Sequence, residues 1–284
     1  MTRIRPLAIA AVVVLCVGLL SRTAEARFTF AVFGESRPDG PNAAPPDVFR
    51  QICKEIGLLT PDFVVGLGDY VFGSPNLPVL KQQYDVLFTA MAPAQQIRQV
   101  PFAFVPGERD IGSFYQAESF FQETLGQLHY SFDRETSHFI LLDSEVVGQE
   151  GRIVGPQLAW LRKDLAEHAD AELTFVFVHR PLFPVARYIG SSLDSNKPAR
   201  DQLHKLLVEG GVDCVFCAHE ALFDYSERDG LTYIISGGAG APLHAFESEG
   251  GFHHYLLVGV DGQKYWIEVR RPIVGGVPLS SAPP

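Results

Sequence analysis

Carboxylate, imidazole and guanidinium side chains collect at the ends of apolar runs. "AVF" leads into Gly34-Glu35-Ser36-Arg37, and "VVGL" leads into Gly68-Asp69-Tyr70. "AFVP" leads into Gly107-Glu108-Arg109-Asp110, "FVFV" into His179-Arg180-Pro181, and "VFCA" into His219-Glu220. Such groups at the tips of buried strands cost free energy if they are idle. They can hold a metal ion, bind an anion, or neutralise one another. Five such endings in order along one chain point to a single site.

The elements that must position these residues read as alternating strands and helices. "FTFAVF", "DFVVGLG", "PFAFVPG", "HFILLD", "LTFVFVH" and "DCVFCAH" are short, rich in Val and Phe, and bounded by turn residues, which predicts buried strands. Between them, "DVFRQICKEIGLL" repeats apolar residues at helical spacing, with Asp47 expected as N-cap. "GPQLAWLRKDLAEH" places Leu158, Leu161 and Leu165 on one face, and "ARDQLHKLLVEGG" stops at glycines. After Glu220, "LTYIISGG", "HHYLLVGV" and "QKYWIEVR" follow one another as strands, the last two joined by an Asp-Gly hairpin turn. This order predicts two sheets packed face to face with helices outside. In such sheets the C-terminal strand ends form the binding crevice.

The chain has 284 residues and a formal net charge of −10. "MTRIRP", the apolar run Leu7 to Leu20 and the small-residue ending at Ala24 and Ala26 have the layout of a secretory signal peptide over residues 1–26. The run is short for a membrane span. The expectation is an exported protein, secreted or periplasmic; the alternative is an uncleaved N-terminal anchor. Loss of Arg3, Arg5, Arg22 and Glu25 takes the charge to −12, which argues against a nucleic-acid partner. One domain is expected over 27–270, and the Pro/Gly/Ser-rich 271–284 is expected to be a flexible tail. Cys53, Cys214 and Cys217 remain, an odd number. Cys214 and Cys217 have CxxC spacing, but on a strand they point to opposite faces, so buried apolar thiols are expected.

The chain resembles the calcineurin-like metallophosphoesterases, including their purple-acid-phosphatase-like members, from about Phe28 to Arg270. "GDYVFG" resembles the family's second motif and "FVPGERD" its Gly-Asn-His-Asp/Glu motif. "FVHRPLF" resembles the single-histidine motif and "VFCAHEALFDYSE" the Gly-His-x-His motif, with "TYIISGGAGAPL" and "QLAWLRKDL" as further likenesses. The resemblance implies a four-layer α/β/β/α sandwich of two mixed sheets flanked by helices. It also implies metal ions at the strand ends that activate water and clamp phosphoryl oxygens. Asp69 stands at the bridging-aspartate position, and His179 and His219 at two histidine positions. Glu35 replaces the first-motif aspartate, and Arg37 stands where many members place a histidine. Glu108 replaces the asparagine, and Arg109 the histidine beside the leaving group. Ala218 and Ala221 replace the glycine and second histidine of Gly-His-x-His. Phe72 stands where the tyrosinate of purple acid phosphatases falls, so a purple site is not expected.

Two readings follow. In the first, Asp69, Glu108, His179 and His219, with Glu35 as a further candidate, hold one Mn, Fe or Zn ion. Arg37 and Arg109 then take over part of the electrostatic work on phosphate, and the protein is a phosphoester hydrolase with a reduced, mononuclear site. In the second, Glu35, Asp69 and Glu108 pair with Arg37 and Arg109, no metal is held, and the chain is a non-catalytic relative that binds a ligand or partner. Asp110 is expected to orient its loop. Tyr70 is not expected to face the crevice. His244, or one of His253 and His254 at the start of a strand, is the remaining source of a substitute imidazole.

Overall fold

The computed structural model describes residues 13–14, 27–95, 99–112, 115–274 and 277–278. The leader, apart from Val13–Val14, lies outside them. No helix among the described residues is long and apolar enough to cross a membrane.

The strand of "FTFAVF", β1 (Phe28–Phe33), shows how the layers arise. Its side chains alternate, so Phe28, Phe30 and Val32 enter one core while Ala31 and Phe33 enter another. Helix α1 (Asp47–Leu59) crosses over to β2 (Phe63–Gly66), and α2 (Leu77–Met91) to β3 (Phe102–Phe104). A one-turn helix, α3 (Glu108–Ile111), and α4 (Tyr115–Leu125) follow. The second half comprises β4 (Tyr130–Arg134), β5 (Ser137–Leu142), α5 (Gly155–Glu167), β6 (Leu173–Val178), α6 (Lys197–Glu209), β7 (Cys214–Cys217), β8 (Phe223–Arg228) and β9 (Leu231–Ser236). The hairpin of β10 (Tyr255–Asp261) and β11 (Lys264–Arg270) returns to the first half.

The first sheet runs Val13–Val14, β11, β10, β1, β2, β3, and the second runs β4, β5, β6, β7, β9, β8. Both are mixed: β1, β2 and β3 are parallel, as are β5, β6, β7 and β9, while the hairpins are antiparallel. Between the sheets lies a phenylalanine-rich core around Phe30, Phe63, Phe139, Phe175, Phe177 and Phe216. The outer face of the first sheet packs Phe49, Ile52 and Ile56 of α1 with Leu80, Tyr84 and Leu87 of α2. The outer face of the second packs Leu158, Leu161 and Leu165 of α5 with Leu203, Leu206 and Leu207 of α6. The result is the four-layer α/β/β/α sandwich.

Several local expectations need correction. Asp47 is the first residue of α1 rather than its cap; Pro46 holds the cap position without a side-chain bond, and Asp47 instead pairs with Arg50. "TYIIS" belongs to the second sheet although the next two strands belong to the first. The runs "YSFDR" and "FDYSER", polar and half exposed, are the edge strands β4 and β8, where a side chain needs no buried face. His253 and His254 precede β10 rather than begin it. Glu108, Arg109 and Asp110 form a helical turn, not an open loop. Of the tail, Ile273–Val274 pairs with Val277–Pro278, and the Ile273 N–H donates to Glu55 at 2.8 Å. Cys214 faces the inter-sheet core and Cys217 the α5/α6 side; both are buried and free, as is Cys53.

Candidate metal centre

Each sheet contributes strand ends to one crevice. Glu35 follows β1, Asp69 follows β2, His179 follows β6 and His219 follows β7. The strand-end backbones are tied together. The Glu35 N–H donates to the Gly68 carbonyl at 3.2 Å and the Arg37 N–H to the Asp69 carbonyl at 3.0 Å. The Ala218 N–H donates to the His179 carbonyl at 2.9 Å. Glu35, Asp69 and His219 all adopt left-handed backbone, with φ of 59°, 57° and 66°. That conformation costs most side chains free energy, Asn, Asp and His less than Glu, and it persists where the surroundings impose it. Gly107 is required at its position: a Cβ there would come within 2.3 Å of the Asp69 backbone nitrogen.

Asp110 organises the approach. One carboxylate oxygen accepts the N–H groups of Asp69 at 2.7 Å and Gly107 at 2.9 Å, and the other accepts that of Tyr70 at 2.9 Å. The Tyr70 hydroxyl donates to the Val105 carbonyl and turns away from the crevice. With the Asp69 backbone fixed, its Oδ1 accepts the Arg109 N–H at 2.9 Å and lies 3.6 Å from His179 Nε2. His179 Nδ1 donates to the Leu67 carbonyl at 2.8 Å, which turns its Nε2 lone pair into the crevice. His219 Nδ1 lies 3.2 Å from that nitrogen. Ligand atoms of Glu35, His179 and His219 all lie within 4.8 Å of one another. Glu35 Oε1 and His219 Nε2 are buried without a hydrogen-bond partner.

The arginines divide unequally. Arg37, 9 % exposed, places its Nε 3.4 Å from Asp69 Oδ2 and 3.6 Å from Glu35 Oε2. Arg109 does not reach Asp69 through its side chain: its Nε lies 3.8 Å from Glu108 and its guanidinium 5.6 Å above the Phe72 ring. Asp69 and Glu108 both stand outside the compact Glu35–His179–His219 group; Asp69 touches it only through His179, and Glu108 meets Arg180 at 3.3 Å. Arg180 was not singled out from the sequence. It grips Glu145 through two bonds of 2.7 Å and donates to the Ser191 carbonyl. Glu220, named beside His219 but given no role, holds with its carboxylate the loop that lays Tyr188 over His219 with ring centroids 3.9 Å apart. Of the substitute imidazoles, His244 Nδ1 accepts the Ala221 N–H at 3.3 Å, while His253 and His254 bond to backbone carbonyls; none joins the group.

The electrostatics are those of a place short of positive charge. Burial, then the charge of Asp69, push the Glu35 carboxyl well above its ordinary value, against Arg37. Glu108 is raised by the same two causes. Burial, then His179 and Arg180, hold His219 far below the usual histidine range, so its ring is neutral. Burial and the neighbouring arginines Arg187 and Arg37 lower His244 to about 4.

A second cluster, Asp133, His138 and His168, has ligand atoms equally close together. Its two imidazoles are stacked at 3.8 Å and 12°. A shared ion must lie in both ring planes, and planes so nearly parallel do not meet nearby. His138 instead spends both nitrogens on carboxylates, Asp133 at 2.6 Å and Asp164 at 2.9 Å.

A two-sheet α/β sandwich with carboxylates and imidazoles at the converging strand ends defines a phosphoesterase-type architecture. The profile of the Calcineurin-like phosphoesterase family matches residues 32–223, and the chain belongs to that family. Over 214 residues it is 22 % identical to human tartrate-resistant acid phosphatase type 5 and 24 % identical to the rabbit protein. The aligned stretch covers 66 % of this chain and 64 % of each relative. Among solved structures, a dimetal phosphatase from Danio rerio superposes with a TM-score of 0.67 at 16 % identity, covering 87 % of this chain and 96 % of that one. Purple acid phosphatase from yellow lupin seeds gives 0.65 at 16 % identity, over 86 % and 54 %. A Plasmodium protein described as the anchor in the inner membrane complex gives 0.63 at 16 % identity, over 90 % and 88 %. The same fold is thus found in proteins described as phosphatases and in one described as an anchor, so function has to be argued from the site.

Proposed function

We propose that the protein is a metal-dependent phosphoester hydrolase with one metal ion held by His179, His219 and the carboxylates Asp69 and Glu35. Glu108, close enough for its charge to act on Asp69 and His179, is the further carboxylate candidate. The observation that carries the reading is the 3.2 Å between His219 Nδ1 and His179 Nε2. Two imidazole ligands about 2.0–2.1 Å from one ion, at tetrahedral to right angles, stand roughly 3.0–3.4 Å apart. The partnerless Glu35 Oε1 agrees with a polar site that lacks a component. A bound divalent ion supplies a Lewis acid for a phosphoryl oxygen and lowers the pKa of its water.

The chain's own residues set the rest. The bond from His179 to the Leu67 carbonyl fixes its tautomer. Arg37 Nε, 3.6 Å from Glu35 and 3.4 Å from Asp69, already offsets one of the two carboxylate charges that ions there would draw on. One ion therefore fits better than two. Arg109, half exposed at the mouth, is placed to meet phosphoryl oxygens but holds its proton too tightly to protonate a leaving group. Neutral His219 keeps a lone pair available for the ion.

A second reading has its own observation. Arg37 beside Glu35 and Asp69, with Arg109 and Arg180 beside Glu108, is a carboxylate–arginine cluster of the kind a non-catalytic binding protein would keep. Elemental mass spectrometry on untagged protein offered Mn, Fe and Zn separates the two. The hydrolase reading expects about one ion per chain, phosphoester turnover, and loss of both in His219→Ala. No bound metal and no turnover establishes the second reading. Unchanged metal content in His219→Ala removes His219 from the site.

A further inference from the structure

Arg180 follows the ligand candidate His179 in the chain, yet it spends most of its side chain on Glu145. Nε and Nη2 donate to the two Glu145 oxygens at 2.7 Å each, a bidentate pair whose carboxylate is buried. Glu145 is held in turn. The Ser144 hydroxyl donates to its Oε1 at 2.7 Å and accepts the Arg180 N–H at 3.2 Å, and the Glu145 N–H donates to Asp143 at 2.7 Å. Arg180 Nη1 donates to the Ser191 carbonyl at 2.8 Å. A guanidinium fixed at so many points does not follow a neighbour that moves.

Its remaining contact is Glu108, whose Oε2 accepts from Nη2 at 3.3 Å. The other Glu108 oxygen meets only Arg109 Nε at 3.8 Å, a half-exposed pair that solvent screens. Of the two arginines beside Glu108, Arg180 is the anchored one. The charge of Glu108 acts on Glu35, Asp69 and His179, yet its oxygens stay out of the compact Glu35–His179–His219 group. A metal that works on a substrate needs an open position. With Glu35, Asp69, His179 and His219 as donors, one more carboxylate would compete for the place that a water or phosphoryl oxygen takes.

We propose that Arg180, locked by Glu145, is a positioning residue that withholds Glu108 from the metal and so keeps one coordination position open. This rests on the metal-dependent reading above. Glu145→Gln with Arg180→Gln, in the full chain, removes the clamp without changing net charge or stranding either partner. Mn(II) is titrated into the metal-free proteins, then inorganic phosphate into the Mn-loaded ones. Released Glu108 should tighten Mn binding about tenfold, the low end of what partners of ligating side chains command. Phosphate binding should weaken by a similar factor. A merely structural role would loosen both. Adding Glu108→Gln should bring both affinities back towards the wild type. A paired variant that binds Mn no more tightly overturns the clamp and leaves the metal reading standing. A gain that survives Glu108→Gln overturns its assignment to Glu108, and unchanged phosphate affinity overturns the open position. If the paired variant does not fold, Glu108→Gln in the otherwise native chain decides. Loss of one nearby charge should then weaken Mn binding by no more than about threefold. A loss of about tenfold or more makes Glu108 a ligand and overturns the clamp. A wild type that binds no Mn overturns the metal reading, and the clamp with it.

Discussion

Arg37 is the residue on which the metal count turns. It is nearly buried and lies within 3.6 Å of two carboxylates without an ideal bond to either. Removing one partner from a buried charge cluster strands the others, at a cost of about 3 kcal/mol. Metal-free Arg37→Gln should therefore melt below the wild type and recover when Mn or Zn is supplied, with bound metal rising towards two per chain. Thermal melts with and without metal, followed by elemental analysis, check this. An unshifted melt in the metal-free variant would mean that Arg37 neutralises nothing. The sequence showed Glu35, Arg37, Asp69, His179 and His219 because polar residues there interrupt apolar runs. It did not show Arg180 gripping Glu145, or Glu220 holding the Tyr188 loop. Those partners are 32 to 35 residues apart, and nothing local in either segment marks the match.

Among elements, the β4–β5 hairpin and α5 are joined by a proton. His138 on β5 is buried between Asp133 of β4 and Asp164 of α5, with His168 stacked on its ring and Ser131 donating to Asp164. Burial alone favours the neutral ring, but the bonds to Asp164 and Asp133 and their charges outweigh it, and the His138 pKa is raised. A raised folded value means that the stabilisation is complete below the ordinary histidine value of about 6.5 and is lost as pH climbs through the folded value. The melting temperature should fall from near neutral pH upward, and His138→Gln should flatten that slope while lowering stability at pH 6. A pH profile of thermal unfolding for both proteins checks it; parallel profiles would refute the linkage. The strands and helices themselves were legible where one face is strongly apolar, as in α1 and β1. Edge strands β4 and β8 were not, because only Tyr130 and Phe132 of one and Phe223 of the other pack on the core, too few apolar contacts for a clear sequence pattern.

For the whole molecule, the inter-sheet core decides stability. Phe30 stacks on Phe63 at 5.0 Å and meets Phe139, Phe175, Phe177 and Phe216 edge-on at 5.5 to 6.2 Å. Phe30→Ala should cost about 4 kcal/mol, read by denaturant unfolding, while metal content in the surviving folded protein is retained. A loss below about 1 kcal/mol would mean that the two sheets repack around the gap. The layered architecture was legible from the order of runs, since alternating strands and helices followed by a hairpin leave few ways to pair. Which sheet receives "TYIIS" was not, because parallel pairing with β7 is a long-range choice.

The left-handed backbone at Glu35, Asp69 and His219 has a consequence for how such a protein can change. Glycine would ease the backbone by about 1 kcal/mol at each position, but at Glu35 and Asp69 it would also strand the Arg37 charge, at a larger cost. Only at His219 does backbone relief meet no ion-pair partner, so a lineage that no longer uses the site should lose the imidazole first and keep the two acids.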